Sequence, residues 1–282
     1  MFTVSRSGYY KWLSEKPNQN SYEQRRKALL ARISWIFHDS EKRYGSPKIV
    51  ELLRQEDWKV SERLVGKLMK ENGMRSCVSK KFRVCTTDSN HDNPIAPNIL
   101  NQNFKTTAPN KVWVTDITYI PCREGRMYLA SVLDLYTRKI VGWKLSDRMT
   151  TELVLEALNN AYAAQKPKKK LIHHSDRGSQ YSSDEYRARM KKYKMTASMS
   201  RKGNCYDNAC IESFHSVLKK EFVYCTKFKT KAQAQQEMFE YIELFYNRKR
   251  IHGSLDYVSP NHFEMMYYKS KNSKKSKKNK VS

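Results

Sequence analysis

The sequence predicts an α/β domain over residues 108–268, preceded by a small all-α domain over residues 1–75. Apolar residues recur every three or four positions up to about residue 75, which indicates helices. Beyond residue 110, runs rich in Val, Ile, Tyr and Trp indicate strands that alternate with helices. Residues 76–107 contain prolines and polar clusters and predict a linker. Residues 269–282 contain seven lysines and predict a disordered tail.

The all-α domain is expected to contain a helix-turn-helix. After a helix over 24–38, Ser46 and Pro47 form a helix start, in which a capping side chain precedes a proline whose missing N–H costs nothing. Ser61 starts a second short helix, which ends near Gly73. Two such helices are equally typical of a hairpin that only packs, and their pattern does not separate the two interpretations. The positive charge of the chain favours DNA binding.

The α/β domain is expected to contain five strands. The predicted strands are 111–120, 127–135, 139–145, 171–174 and 195–199. A connection of three residues separates the second strand from the third, so the first three strands predict a meander. The predicted helices begin at Thr151, follow a capping box formed by Ser182 and Glu185, run from Asn208 to about Phe222, and span 232–247. Three strands, helix, strand, helix, strand, helix is the order of an RNase H-like domain.

The charge of the chain points to a polyanionic partner. There are 54 Lys and Arg residues against 28 Asp and Glu residues, which gives a formal net charge of +26. Binding to DNA uses such charge, because each neutralised phosphate releases a counterion. An anionic membrane would attract the same charge, but no apolar run approaches the roughly 18 residues of a spanning helix. The start of the chain also lacks the apolar stretch of a signal peptide, so we expect a cytoplasmic protein.

Several catalytic classes lack their signatures in this sequence. The six cysteines form no C-x-x-C pair and no His spacing that would close a zinc site, and we expect reduced thiols. Neither a Gly-rich phosphate loop of the ATPase type nor a nucleophile elbow is present. The chemistry therefore requires neither ATP nor an activated serine of the usual kind.

Three acidic residues occupy unusual positions. Asp116 interrupts an apolar strand, Asp176 follows directly on another, and Glu212 lies on a helix with an apolar face. Each one taken alone is more typical of a structural ion pair. Together, two strand carboxylates and one helix carboxylate supply the hard oxygen ligands that Mg²⁺ prefers. A pair of such ions supports in-line attack on a phosphodiester without a protein nucleophile.

Seven motifs extend this interpretation to nearly the whole chain. They are VSRSGYYKWL at 4–13, RYGSPKIVELL at 43–53, PNKVWVTDITYI at 109–120, SVLDLYTRKIVGW at 131–143, HHSDRGSQYSS at 173–183, YDNACIESFHSVLKKE at 206–221 and FYNRKRIHGSLDYVSPNHFE at 245–264. With these motifs the chain resembles the DDE transposases of bacterial insertion sequences, specifically the catalytic part of the IS-three family that is called OrfB.

The resemblance implies a set of site residues. By it, Asp116, Asp176 and Glu212 are the catalytic and metal-binding triad, acting with two Mg²⁺ ions that Mn²⁺ can replace, and the fold is that of retroviral integrases. Lys219 matches the basic residue seven positions after the Glu of the family. Seven residues are nearly two helical turns, so Lys219 shares the face of Glu212 and is expected to bind a DNA phosphate. Without the resemblance, Lys219 would be interpreted as a solvated helix lysine.

The resemblance also implies partners. Arg248 and His252 match a motif near the C-terminus and are expected to contact DNA, at the element ends or the target. Bringing two DNA ends together calls for a homo-oligomer on DNA, at the nucleoid of a bacterium. In the family, an upstream reading frame supplies an end-binding domain and a leucine zipper by frameshifting. Since this chain starts almost at the first motif and sustains no coiled-coil heptads, we expect it to act with that product or as a fusion.

Two other functions and several weaker residues remain open at this stage. An RNase H-like hydrolytic nuclease would use the same displacement, and a DNA-binding regulator would need no catalysis.

Asp134 and Asp207 are candidate ligands, although caps and ion pairs explain them. His173 and His174 are candidates for proton transfer, although structural hydrogen bonds are the simpler interpretation. Asn208 is most simply a helix N-cap.

Overall fold

The computed structural model describes residues 5–15, 21–78, 94–168 and 170–278. The chain divides into two compact units, Met1–Ser79 and Lys80–Ser282. Residues 79–93 of the predicted linker and residues 279–282 of the predicted tail lie outside the described residues. Each unit has its own set of buried apolar side chains.

The described residues of the first unit form four helices. They are α1 (Arg6–Glu15), α2 (Ser21–Asp39), α3 (Ser46–Gln55) and α4 (Glu62–Glu71). Apolar residues at helical spacing on α2, α3 and α4 turn towards one another, and Ile33, Leu53 and Val65 are completely buried. The predicted all-α domain is therefore present, and α3 and α4 are the two short helices that the sequence predicted.

The predicted starts of both short helices are confirmed, but the predicted side-chain cap is confirmed only for α4. The Ser61 side chain caps α4 by accepting a hydrogen bond of 3.2 Å from a backbone N–H three residues later. Helix α3 instead has Gly45 as its N-cap, without a side-chain hydrogen bond, and Ser46 is its first helical residue. A Cβ atom placed on Gly66 of α4 would lie 3.7 Å from Ser46 Oγ. The Ser46 side chain therefore packs against α4 instead of capping α3.

The second unit is built on a mixed sheet of five strands. They are β1 (Val112–Cys122), β2 (Gly125–Asp134), β3 (Ile140–Ser146), β4 (Ile172–Ser175) and β5 (Thr196–Met199). Their order in space is β3-β2-β1-β4-β5. The first three strands form the predicted antiparallel meander. Strands β4 and β5 are parallel to β1, which requires crossover connections. The predicted RNase H-like order of elements is confirmed.

Helices provide those connections and cover the sheet. They are α5 (Thr151–Gln165), α6 (Ser179–Ser182), α7 (Asp184–Lys192), α8 (Ala209–Glu221), α9 (Lys231–Phe239) and α10 (Pro260–Lys278). Helix α9 continues as a π-helical segment over Glu240–Tyr246. Within the described residues, no helix is both long enough and apolar enough to cross a membrane.

Two local predictions in this unit are wrong. The N-cap of α7 is Ser183, whose hydroxyl accepts a hydrogen bond of 3.3 Å from the backbone N–H of Tyr186. The capping box predicted at Ser182 is thus displaced by one residue, because Ser182 is buried at the end of the short helix α6. The tail predicted to be disordered instead extends α10 to Lys278. Lysine is a good helix former, and a helix already started at Pro260 needs no new nucleus.

Helix α5 packs directly on β3 at a glycine. A Cβ atom on Gly142 would lie 2.4 Å from the backbone nitrogen of Ala161 and 2.5 Å from the backbone oxygen of Ala157. Both alanines are buried in the core that also contains Trp113 and Leu158. Small residues on the strand and on the helix are therefore what allows the two backbones to approach so closely.

We expect the substitution Gly142→Ala to lower the free energy of unfolding by about 2 to 3 kcal/mol, because its methyl group meets helix backbone that has no rotamer to adopt. Urea denaturation of the full chain measures this change. The control is Gly66→Ala, where an added Cβ has ordinary contacts of 3.7 Å and replaces a helical glycine. Equal stability of the Gly142 variant and the wild type would contradict the packing described above.

Candidate active site

Asp116 lies in the middle of β1, the central strand of the sheet. Its side chain is 19% exposed, and the strand register sets it opposite Ser131 of β2. The ring of His215 on α8 approaches it, with 3.4 Å between His215 Nδ1 and Asp116 Oδ2. The carboxylate that the sequence predicted to interrupt an apolar strand is thus half-buried beneath a helix.

Helix α8 is held along β1 by side chains on one face. Asn208 precedes the helix after a 3₁₀ turn, and its Nδ2 donates a hydrogen bond of 3.1 Å to the carbonyl oxygen of Thr115. Two turns later on the same face, His215 meets Asp116. Asn208 occupies the predicted N-cap position of α8, but its side chain makes no capping hydrogen bond and binds the strand instead.

Glu212 lies on this same face, between the two contacts. It follows Asn208 by four residues and precedes His215 by three, so it projects towards β1. Further along the face, Lys219 Nζ lies 4.2 Å from the centre of the Tyr119 ring on β1. The contacts along the helix therefore follow the order of the residues along the strand, and they leave Glu212 facing the segment that contains Asp116.

The carboxyl groups of Glu212 and Asp116 influence each other. Burial raises the pKa of Glu212, and the negative charge of Asp116 raises it further. Among the described residues, none donates a hydrogen bond to Glu212. The two acids are therefore like charges in a partly dry environment, where a cation would be strongly favoured.

Asp176 follows β4, which is the parallel neighbour of β1. The last pair of the parallel register is Val114 with His174, and Asp116 and Asp176 each follow that pair by two residues. Asp176 Oδ1 accepts a hydrogen bond of 3.0 Å from the backbone N–H of Gly178. A Cβ atom on Gly178 would lie only 3.1 Å from that oxygen, so the absence of a side chain lets the turn fold around the carboxylate.

A buried tyrosine lies close to both strand carboxylates. Tyr181 is 2% exposed, and its hydroxyl lies 3.3 Å from Thr115 Oγ1. Burial raises the pKa of Tyr181, the neighbouring Tyr186 adds to this, and the negative charges of Asp116 and Asp176 raise it further. Both carboxylates thus act on one hydroxyl group, which places them around the same point of the fold.

The donor set suits a hard divalent cation. Carboxylate oxygens are the protein ligands that Mg²⁺ prefers, and a site with few protein ligands leaves room for water and phosphate. Within the described residues, no three His, Cys, Asp or Glu side chains already lie close enough to hold an ion. Mutual repulsion opposes the convergence of carboxylates, and the charge of a divalent cation would offset it.

The three residues predicted to bind DNA have different environments. Arg248 is exposed. Lys219 is only 6% exposed and lies against Tyr119, so its interpretation as a solvated lysine is wrong. His252 is partly buried, with its ring edge-on to the ring of Tyr246 at 4.9 Å between centres. Of the three, Arg248 is therefore the side chain most accessible to a DNA backbone.

The two weaker acidic candidates have structural roles. Asp134 is buried and accepts hydrogen bonds from two backbone N–H groups and one hydroxyl group at the turn after β2, and from the backbone N–H of Asn110 before β1. Asp207 is also buried, and the Arg201 guanidinium donates to it at 2.7 and 2.9 Å. Arg201 lowers the pKa of Asp207 below its ordinary value. Caps and ion pairs, the simpler interpretation from the sequence, describe both residues.

The two adjacent histidines are buried and hydrogen-bonded. His173 Nε2 lies 2.9 Å from the hydroxyl of Tyr186. His174 lies between Ser198 Oγ at 2.8 Å and Ser200 Oγ at 3.1 Å. Burial lowers the pKa of His173 to about 3 and that of His174 to about 4. Both rings are therefore neutral at pH 7, which supports the structural interpretation over proton transfer.

Two residues of this site, His215 and Ser131, were not predicted from the sequence. The distance between His215 Nε2 and Ser131 Oγ is 2.8 Å. One signal was available for the histidine, because it follows Glu212 by three residues and so shares its helix face. No comparable signal exists for Ser131, since its place opposite Asp116 is fixed by the pairing of two strands.

A basic pocket lies apart from the carboxylates. Its volume is about 680 Å³, and four lysines line it together with Pro167 and the stacked rings of Tyr162 and Tyr193. The lysines are Lys168, Lys170, Lys192 and Lys194. These residues precede β4 and β5, whereas Asp176 follows β4. The pocket therefore lies at the opposite ends of these strands and is not part of the candidate active site.

Known domain families match most of the chain. The family described as HTH-like domain matches residues 24–82. Two families described as integrase core domain match residues 106–205 and residues 212–267. The first of these two spans Asp116 and Asp176, and the second begins at Glu212.

Full-length relatives decide the family. The chain is 43% identical to the insertion element IS600 uncharacterized 31 kDa protein of Shigella sonnei, over 95% of this chain and 97% of that protein. It is 42% identical to the transposase for insertion sequence element IS904 of Lactococcus lactis subsp. lactis, over 89% and 98%. The chain belongs to the IS3 family of insertion-sequence transposases. Transposase InsF for insertion sequence IS3A of Escherichia coli is 37% identical, over 93% of this chain and 90% of that protein.

Membership of this family establishes the general function of the protein. The transposase acts in DNA transposition, and its integrase core implies transfer of polynucleotide strands. The HTH-like domain and the integrase core together imply DNA binding.

Solved structures of viral integrases show a more distant similarity. A simian T-cell lymphotropic virus intasome in complex with PP2A regulatory subunit B56 gamma matches with a TM-score of 0.48 and 12% identity, over 82% of this chain and 74% of that chain. The HTLV-2 integrase catalytic core domain in complex with magnesium, in its trimeric form, matches with a TM-score of 0.45 and 13% identity, over 57% and 99%.

The buried His173 makes the stability of the fold depend on pH. Its pKa is about 3 in the folded chain against an ordinary 6.5, so between these values the unfolded chain binds more protons. Stability should fall as pH drops from 6.5 towards 3, by up to about 1.4 kcal/mol per pH unit. We expect His173→Gln, which cannot titrate, to flatten this dependence in urea denaturation at pH 7, 6, 5 and 4. If the pH dependence of stability were the same in His173→Gln and the wild type, His173 would not be the group whose lowered pKa causes it. The substitution His38→Gln at an exposed histidine serves as control.

Proposed function

We propose that Asp116, Asp176 and Glu212 are the catalytic triad of a DDE transposase that cleaves DNA strands and joins them to a target. The alignment of α8 with β1 carries this proposal, because it turns Glu212 towards the strand that contains Asp116. Asp116 and Asp176 each follow the last pair of the parallel β1–β4 register by two residues, which supports their joint role. Burial and the charge of Asp116 raise the pKa of Glu212, which supports the inclusion of the third carboxylate.

We further propose that the triad binds two Mg²⁺ ions, for which Mn²⁺ can substitute. Support comes from the all-carboxylate donor set and from the repulsion between Asp116 and Glu212, which a divalent charge would offset. When bound, such ions activate a water or a 3′-hydroxyl for in-line attack and stabilise the leaving oxygen. The three carboxylates supply the ligands, and the turn at Gly178 orients that of Asp176.

The side chains around the triad are poor nucleophiles themselves. Tyr181 is buried and its pKa is raised well above its ordinary value, so its hydroxyl stays protonated. His173 and His174 are buried, and hydrogen bonds with Tyr186, Ser198 and Ser200 engage their rings. This arrangement favours direct attack by an oxygen of water or of DNA over a covalent intermediate on the protein.

Two alternatives are less favoured. A hydrolytic nuclease of the same fold would use the same displacement with water alone, and membership of a transposase family favours strand joining. A DNA-binding regulator would have no need for an Asp116–Glu212 pair that repels itself in a partly buried environment. Joining of a labelled element end to target DNA, as opposed to cleavage alone, distinguishes the transposase from the nuclease.

We expect Asp116→Asn, Asp176→Asn and Glu212→Gln each to abolish strand cleavage and to leave DNA affinity within about tenfold, roughly 1.4 kcal/mol. The physical reason is that metal ligands act on the scissile phosphate, whereas the basic surface provides most of the binding. Labelled element ends with Mg²⁺ measure cleavage, and a gel-shift titration measures affinity. The exposed Glu185→Gln is the matched control. Near wild-type cleavage by any of the three amide variants would remove that residue from the triad.

Metal substitution tests the proposed ions. We expect Mg²⁺ and Mn²⁺ to support cleavage and Ca²⁺ to allow DNA binding without turnover, because the looser coordination of Ca²⁺ positions the attacking oxygen poorly. Cleavage assays after chelation and re-addition of each ion measure this. Activity that persists after complete chelation would contradict a metal-dependent mechanism.

We propose that the transposase contacts DNA through the α3–α4 pair and Arg248, and that Lys219 and His252 contribute beside the active site. Two element ends must be brought together in transposition, so we propose a homo-oligomer on DNA. The family resemblance further suggests that the product of an upstream reading frame, as a partner or a fusion, selects the ends. The basic side chains on α4 are exposed and can therefore reach a DNA backbone.

Charge removal on α4 tests the contribution of the first unit. Arg63 and Lys70 are exposed and seven residues apart, so they share one helix face. We expect the double variant Arg63→Gln/Lys70→Gln to weaken DNA binding and to flatten the slope of log affinity against log salt by about 0.9 for each phosphate that is no longer neutralised. Lys27→Gln/Lys42→Gln, which removes two exposed charges outside α3 and α4, is the control. Equal slopes for the two double variants would favour the hairpin that only packs.

A further inference from the structure

A buried histidine connects three elements of the candidate active site. The side chain of His215 is 7% exposed and spans from β2 to β1. Its Nε2 lies 2.8 Å from Ser131 Oγ, and its Nδ1 lies 3.4 Å from Asp116 Oδ2. Since Ser131 and Asp116 are direct partners in the strand register, the ring lies over a pair of opposed residues.

The chemistry of these partners determines which ring nitrogen of His215 donates a proton and which accepts one. An ionised carboxylate only accepts hydrogen bonds, so the nitrogen that faces Asp116 must carry the proton. The opposite nitrogen then accepts the hydroxyl proton of Ser131. Ser131 is completely buried, and its carbonyl oxygen accepts a hydrogen bond of 2.9 Å from Thr115 Oγ1. The serine is therefore a fixed anchor that orients the ring towards the carboxylate.

Burial and partners exclude other roles for this ring. The ring is 7% exposed, and its two nitrogens face Ser131 and Asp116 rather than solvent. Both ring nitrogens are occupied by neighbours, Ser131 on one side and Asp116 on the other, so neither is directed at an ion. The 3.4 Å between His215 Nδ1 and Asp116 Oδ2 is a close polar contact that is longer than an ordinary N–H···O hydrogen bond, so the ring borders one carboxylate oxygen and leaves the group room to adjust.

We propose that His215 is a positioning residue, which holds Asp116 Oδ2 so that the other carboxylate oxygen is presented to a divalent cation. Ser131 acts through His215 and fixes its tautomer. Supporting groups of this kind orient metal ligands and change metal affinity by about 10- to 100-fold when removed. This inference rests on the proposed metal-binding role of Asp116.

The test measures Mn²⁺ affinity of the full chain by calorimetry or electron paramagnetic resonance, without DNA. Ser131→Ala removes only the anchor, His215→Leu removes both contacts, and His215→Asn retains one amide N–H on the side of Asp116. We expect Ser131→Ala and His215→Leu to weaken Mn²⁺ binding by about 10- to 100-fold and His215→Asn to recover part of the loss. Strand cleavage should return towards the wild-type rate when Mn²⁺ is raised, because the catalytic carboxylates are intact.

Controls separate this inference from the proposed function. Tyr186→Phe removes another buried histidine contact, that with His173, and should leave Mn²⁺ affinity unchanged. If Asp116→Asn binds Mn²⁺ as tightly as the wild type, the proposed metal site itself is wrong. If Asp116→Asn loses Mn²⁺ but Ser131→Ala and His215→Leu bind it normally, only the positioning role is wrong. Should His215→Leu fail to fold, Ser131→Ala decides the matter.

Discussion

The contact between α8 and β1 sets the geometry on which the candidate active site depends. Asn208 and His215 fasten two turns of the helix to Thr115 and Asp116, and Glu212 lies between them on the same face. Because a helix is rigid over two turns, fixing it at both ends fixes the direction of the residue between. A rotation of α8 would turn Glu212 away from the strand. The contacts of Asn208 and His215 therefore determine the orientation of Glu212 in addition to stabilising the fold.

The acids of the second unit divide according to how well they are hydrogen-bonded. Asp134 and Asp207 are fully buried and surrounded by donors, as buried carboxylates must be if they are to remain stable. Asp116 and Glu212 are partly buried and poorly supplied with donors among the described residues, and they repel each other. The first condition stabilises a fold. The second costs stability and is typical of sites where a ligand supplies the missing charge.

Much of the fold could be predicted because its signals are local. Alternation and turns placed all five strands, and helical spacing placed α2 to α4 and α8. The errors occurred where a tertiary contact competed with a local preference. The side chain of Ser46 packs against Gly66, and the side chain of Asn208 binds the carbonyl oxygen of Thr115. Neither side chain makes the capping hydrogen bond that its local sequence favours. The close approach of α5 to Gly142 was also invisible, since it depends on two backbones that are distant in sequence.

The sequence by itself determined the element order, the positive charge, and the three acids that resemble a catalytic triad, because each is a property of residue type and spacing. Only the tertiary structure decided which polar residues surround those acids. The register of β1 with β2 placed Ser131 opposite Asp116, and the docking of α8 placed His215 between them. Strand register and helix docking depend on packing across the whole sheet, and no spacing within one segment contains that information.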